Sequence, residues 1–278
     1  IMERTAFTKM YKKAKEKGTE AISMEYDIPQ EEVEVLLPSL IVLNRLLKYT
    51  VNDSILLSNV LLSDAVMFEM LFPKEASFVV KAYEEFTLQS ATSIAERFGR
   101  DIGHISRVSS VALEIYDKMK KLHGYKSRER TLLQVSAILQ DIGKYVNVKN
   151  HALLSYNTIT NLDIVGINDH ERLIIATVCY YHNGNIPSMD SPIYNQLSQE
   201  DRVMVSKLAA ILQISNAINT SHSPKFEQVS VNMKNGKLNI YLTTLKNINL
   251  EKWAFIAKTK LFREVYGLNA TIIKRGVL

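Results

Sequence analysis

The 278-residue chain is 46% hydrophobic and 23% charged, with few glycines and prolines, a composition suited to globular domains with ample apolar material for a core. No apolar run reaches the roughly 18–20 residues needed to span a bilayer, and no secretory-signal pattern opens the sequence, so a cytoplasmic protein without a membrane partner is expected. The single cysteine, Cys179 in LIIATVCYYH, can make neither an internal disulfide nor a cysteine zinc knuckle and reads as an inert buried thiol. A net charge of +5 favours an anionic partner. The densest basic run, Lys118 to Arg130, could attract a polyanion but reads more readily as the solvated end of a helix plus its loop. Aromatic residues are not interleaved with it, which argues against nucleic acid.

Taken in chain order, residues 1–20 predict a helix, and 31–49 a second, with Pro38 near a start or a kink. SILLSNVLL suits a short buried strand and DAVMFEMLF a helix closed by Pro73, together a fragment of α/β architecture. A helix over 74–92 opens an all-helical stretch that runs to Ser221. Within it Ile105, Val108, Ala112, Ile115 and Met119 form a stripe with steps of three and four. Helices follow near 127–140, 151–160, 169–182 and 199–219, the last with Ser198 as N-cap and Asp201 at N3. The tail alternates apolar and polar residues around Asn235-Gly236, a hairpin signal, because both central turn positions need positive φ. A helix ending at Gly267 and the strand NATIIKR complete a ββαβ module.

The stretch most suggestive of chemistry is LLQVSAILQDIGKYVNVKNHALLSYN, residues 132–157. A carboxylate at the end of a buried helix, a glycine turn and then an imidazole can set polar groups over an apolar floor. His104 upstream and His182 downstream are further candidates.

GHISRVSSVALEIYDKM, LLQVSAILQDIGKYV, HALLSYNTI and IATVCYYHNGNIP resemble the helical HD-like domain of the Ppx/GppA family, the exopolyphosphatases and guanosine pentaphosphate phosphatases. EVEVLLPSLIVLNRLL with ILLSNVLLSDAVMFEML is similar to the end of that family's second actin-like domain, and EKWAFIAKTKLFREVYGLNATI to its C-terminal module. The resemblance implies a mainly α fold with a partial actin-like α/β segment at 1–75, an HD-like helical domain at 76–222 and a small ββαβ module at 223–278.

In metal-dependent HD domains a histidine, an adjacent His-Asp pair and a later aspartate hold a divalent metal that polarises a phosphoryl group and activates water. His104 matches the first histidine and Asp141 the aspartate of the pair, but position 140 is Gln140, and Asn216 and Asn219 stand where the last aspartate is expected. Amide oxygens are poor transition-metal ligands beside imidazole, so this degenerate set is expected to hold no metal. His104 and Asp141 then read as a hydrogen-bonded polar cluster. His151 and His182 read either the same way or as donors to phosphate, and His123, His170 and His222 as surface residues.

Catalysis in the resembled family, with Mg or Mn, needs phosphate-binding loops and a glutamate in an N-terminal actin-like domain. Those loops do not occur in this sequence, whose glycines are scattered singly. No catalytic residue is therefore expected. The resemblance implies a binding portion that takes polyphosphate or guanosine pentaphosphate through Arg97, Arg100, Arg107, Lys144, His151 and His182, as a homodimer or beside a separate N-terminal catalytic chain. Two other readings stay open: a standalone HD-type metal-dependent phosphohydrolase acting on a nucleotide or phosphoester, and a structural dimerisation or partner-binding domain.

Overall fold

Apolar residues at helical spacing govern most of the sequence, and thirteen α-helices form among the described residues. The computed structural model describes all residues except 58–61, 73–76, 222, 224, 235, 277 and 278, and only the backbone of 62 and 77–80. Two units result, residues 1–76 and 77–278.

In residues 1–76, β1 (Met2–Glu3) leads into α1 (Arg4–Glu16), α2 (Thr19–Tyr26) and α3 (Gln30–Leu47). β2 (Ser54–Ile55) pairs antiparallel with β1, and α4 (Leu62–Leu71) follows. α3 packs on α1 and α2, and the buried side chains among the described residues are Phe7, Ile22, Val33 and Leu40. Pro38 lies inside α3, well past its start, where it removes one N–H from the helical ladder. Of the apolar run expected as a strand, Ser54 and Ile55 pair as one, and residues 58–61 lie outside the described residues.

Residues 77–278 begin with α5 (Ser77–Arg97), α6 (Ile102–Lys118), α7 (Lys120–His123) and α8 (Ser127–Leu139). A 3-10 turn at Ile142–Tyr145 precedes α9 (His151–Ile159), α10 (Asp169–Tyr181), α11 (Pro192–Asn195) and α12 (Gln199–Ile218). The chain ends with β3 (Gln228–Lys234), β4 (Lys237–Thr243), α13 (Asn249–Tyr266) and β5 (Asn269–Arg275). Every member of the α6 stripe read from the sequence is buried. α8 is buried on nearly every position from Thr131 to Leu139, as a helix covered by α5, α6 and α10 must be. Ser198 Oγ accepts the Asp201 N–H at 3.1 Å and caps α12.

The hairpin and the final strand form a three-stranded sheet in the order β3-β4-β5, antiparallel then parallel, with α13 as the crossover. Leu238, Ile240 and Leu242 alternate inward along β4, and Gly267 closes α13 at φ 66°. α13 lies against α12, so the sheet module and the helices share one unit. Among the described residues no helix is long and apolar enough to cross a membrane.

Candidate functional site

α8 and α10 run side by side in the same direction. At their starts Arg128 Nε donates to Glu171 Oε1 at 2.6 Å, and Glu171 also completes a capping box with Asn168. Further along, Cys179 Sγ donates to the Ser136 carbonyl at 3.3 Å. The C-terminal ends of both helices therefore arrive together, Gln140-Asp141 on one and His182 on the other. Beyond Asp141 the chain tightens into the 3-10 turn, and Ser155 of α9 clamps it there. Ser155 Oγ donates to the Gln140 carbonyl at 2.8 Å and accepts the Gly143 N–H at 2.9 Å. This places the start of α9, and His151 with it, beside Asp141.

Asp141 Oδ1 lies 3.2 Å from His182 Nε2 and 3.6 Å from His151 Nε2. His151 Nδ1 faces the Val148 carbonyl at 2.7 Å, and His182 Nδ1 faces the Cys179 carbonyl. A carbonyl only accepts, so both rings carry hydrogen on Nδ1 and, when neutral, turn the Nε2 lone pair towards Asp141. The three residues are buried, and their donor atoms lie within 4.8 Å of one another. Lys144 Nζ donates to the other carboxylate oxygen, Oδ2, at 2.7 Å. Burial by itself would raise the Asp141 pKa, but its contacts with His182 and Lys144 outweigh it and hold the carboxyl well below its usual range. His151 is pushed down chiefly by burial, which favours its neutral form.

From α13 the Lys258 side chain approaches Gly184, two residues beyond His182, and is half-buried. Burial pushes its pKa down, and it feels the charges of both Asp141 and Lys144. Among the described residues no carboxylate makes an ion pair with it. On the α6 side, Asp141 also lines a cavity of about 150 Å³ with Arg100, Asp101, His104, Ile138 and Gln140. The side-chain amides of Gln140 and Asn219 are buried and have no hydrogen-bond partner among the described residues.

Of the residues singled out in the sequence, the fold brings Lys144, His151 and His182 to Asp141, while Arg100 and His104 face the adjoining cavity. Arg107 turns to Asp101, 3.9 Å away, and Arg97 is exposed in the last turn of α5. Asn216 is half-buried on α12. The expectation that His123 is a surface residue is corrected: it is buried, its Nε2 donating to the Tyr116 carbonyl at 2.9 Å and its Nδ1 accepting the Tyr125 N–H at 3.0 Å. His170 is largely exposed and reaches Asp201 at 2.9 Å, and His222 lies outside the described residues. Lys258 was not foreseen. Its only sequence signal is a lysine within the amphipathic helix WAFIAKTKLF, which does not distinguish it from its neighbours.

Fold and site together describe a mainly helical domain with a small C-terminal sheet, carrying imidazoles, lysines and one carboxylate at the end of a buried helix. The family model for Ppx/GppA phosphatase, domain III, matches residues 88–261. The chain belongs to the Ppx/GppA phosphatase family, which bears out the family resemblance read from the sequence within residues 88–261.

Proposed function

We propose that residues 77–278 are a polyanion-binding portion of a Ppx/GppA-family phosphatase, non-catalytic alone, with polyphosphate or the phosphate chain of guanosine pentaphosphate as ligand. What supports this reading is Lys144 on Asp141 with the half-buried Lys258 side chain near Gly184, two residues beyond His182. Asp141 engages Lys144 directly, and Lys258 is left as a partly desolvated ammonium. A phosphate oxygen would supply the missing counter-charge. Arg100 in the adjoining cavity adds a further cation, with Asp101 and His104 beside it. Self-association, as a homodimer or with a catalytic chain of the same family, belongs to the same reading.

The test is titration of the full chain with polyphosphate at low and at physiological salt. Affinity is expected to fall by about tenfold or more as the charges are screened. Binding that ignores salt would contradict the reading.

A second reading, a metal-dependent phosphohydrolase, is favoured by the Asp141, His151 and His182 donors. Phosphate release from polyphosphate in Mn²⁺, abolished by Asp141→Asn, would support it over the first. No release above the Asp141→Asn background would leave the binding reading in place.

A further inference from the structure

We propose that Asp141, His151 and His182 form a binding site for one divalent transition-metal ion of the zinc class. This set differs from the degenerate one at His104, Gln140, Asp141, Asn216 and Asn219, because two of its donors come from the start of α9 and the end of α10.

The geometry carries the inference. Two Nε2 lone pairs and a carboxylate oxygen converge in a buried place, with both Nδ1 hydrogens already committed to backbone carbonyls. Such committed Nδ1–H bonds are the usual outer support of metal-ligating histidines, fixing tautomer and ring orientation. Lys144 plays the corresponding part for the carboxylate: it occupies Oδ2 and leaves Oδ1 to face the imidazoles. Asp141 Oδ1 is buried, and the Nε2 atoms of His182 and His151 face it at 3.2 and 3.6 Å. Three electron-rich atoms at such distances repel unless a cation sits among them. A proton on His182 Nε2 would satisfy one contact and leave His151 Nε2 facing the same oxygen. A metal ion satisfies all three donors at once.

Spacing and donor type narrow the choice of ion. Zinc bonds of about 2.0–2.1 Å in a tetrahedron put neighbouring ligand atoms about 3.3 Å apart. The two oxygen–nitrogen separations, 3.2 and 3.6 Å, bracket that edge. Two imidazoles with one carboxylate suit Zn²⁺ and its transition-metal neighbours, whereas Mg²⁺ and Ca²⁺ prefer oxygen-only shells. Three protein ligands leave a position for water or an anion oxygen. The inference does not rest on polyanion binding and stands or falls separately from it.

The test uses the full chain, stripped with a chelator, loaded with Zn²⁺, desalted and analysed for metal. About one equivalent is expected to remain. Asp141→Asn and His182→Gln should each weaken retention by at least about tenfold, while His170→Ala, at an exposed histidine, keeps it. Circular dichroism of the stripped proteins checks that the variants fold. If they do not, Co²⁺ loading of the unaltered chain decides: intense visible bands of a four-coordinate site support the proposal, and the pale spectrum of a six-coordinate aqua-like ion overturns it. Absence of retained Zn²⁺ in the unaltered chain overturns it too, as does full retention in folded Asp141→Asn and His182→Gln.

Discussion

A Cβ added to Gly143 would stand 2.2 Å from the carbonyl oxygen of His151 and 2.5 Å from the Ser155 nitrogen. The turn that follows α8 and the first turn of α9 thus meet backbone to backbone, and this closeness sets His151 against Asp141. The requirement is one of space, because the obstructing atoms are main chain and cannot rotate away. Gly143→Ala is expected to destabilise residues 77–278 by about 3 kcal/mol, towards the upper end of overpacking costs. Urea unfolding with an unchanged m-value measures it.

Ser155 is the second half of that junction. Its hydroxyl serves Gln140 and Gly143 at once, so Ser155→Ala strands a buried N–H and a buried carbonyl. The expected cost is about 1–3 kcal/mol. Denaturant midpoints of the two proteins check it, and Ser155→Thr should recover part of the loss if its hydroxyl reaches the same partners.

His123 predicts a pH dependence. Its Nδ1 accepts a backbone N–H, so a proton there would face another proton, and burial lowers its pKa in the folded state. The unfolded histidine takes up a proton near pH 6.5 while the folded one resists. The unfolded state therefore binds more protons below that point, and stability falls as pH drops from about 6.5 through the lower folded pKa. Thermal melts between pH 7 and 5 should show this loss, and His123→Gln should have the shallower slope.

Cys179 is wholly buried, its thiol pKa raised chiefly by burial and further by the nearby Asp141 charge. Native protein should react with an aromatic disulfide reagent more than about 100-fold slower than protein in denaturant, since reaction must await opening. Equal rates would contradict the burial.

Much of the fold was legible because its signals are local. The α6 stripe, the Ser198 cap, the hairpin flanking Gly236 and the Gly267 stop each depend on residues a few positions apart. The site was legible only in pieces. Asp141 stood out at the end of an apolar helix, but its meeting with His182 depends on α8 and α10 running side by side, held by Arg128–Glu171. Lys258 arrives from α13 by packing, which no short-range spacing encodes. His123 was misread from its polar neighbours Lys120 and Lys121. What buries it is the pair of tyrosine rings, Tyr116 and Tyr125, centred 4.1 and 5.5 Å away.

The central claim is that the Asp141 corner of residues 77–278 binds a phosphate-rich anion through its lysines. The most direct measurement is the affinity for polyphosphate of Lys258→Gln beside that of Lys121→Gln, an exposed lysine on α7. Loss of a partly desolvated charged contact should weaken binding by about tenfold or more, and loss of an exposed charge by less than about threefold. Equal, small effects of the two substitutions would contradict the claim and move polyanion binding away from this corner.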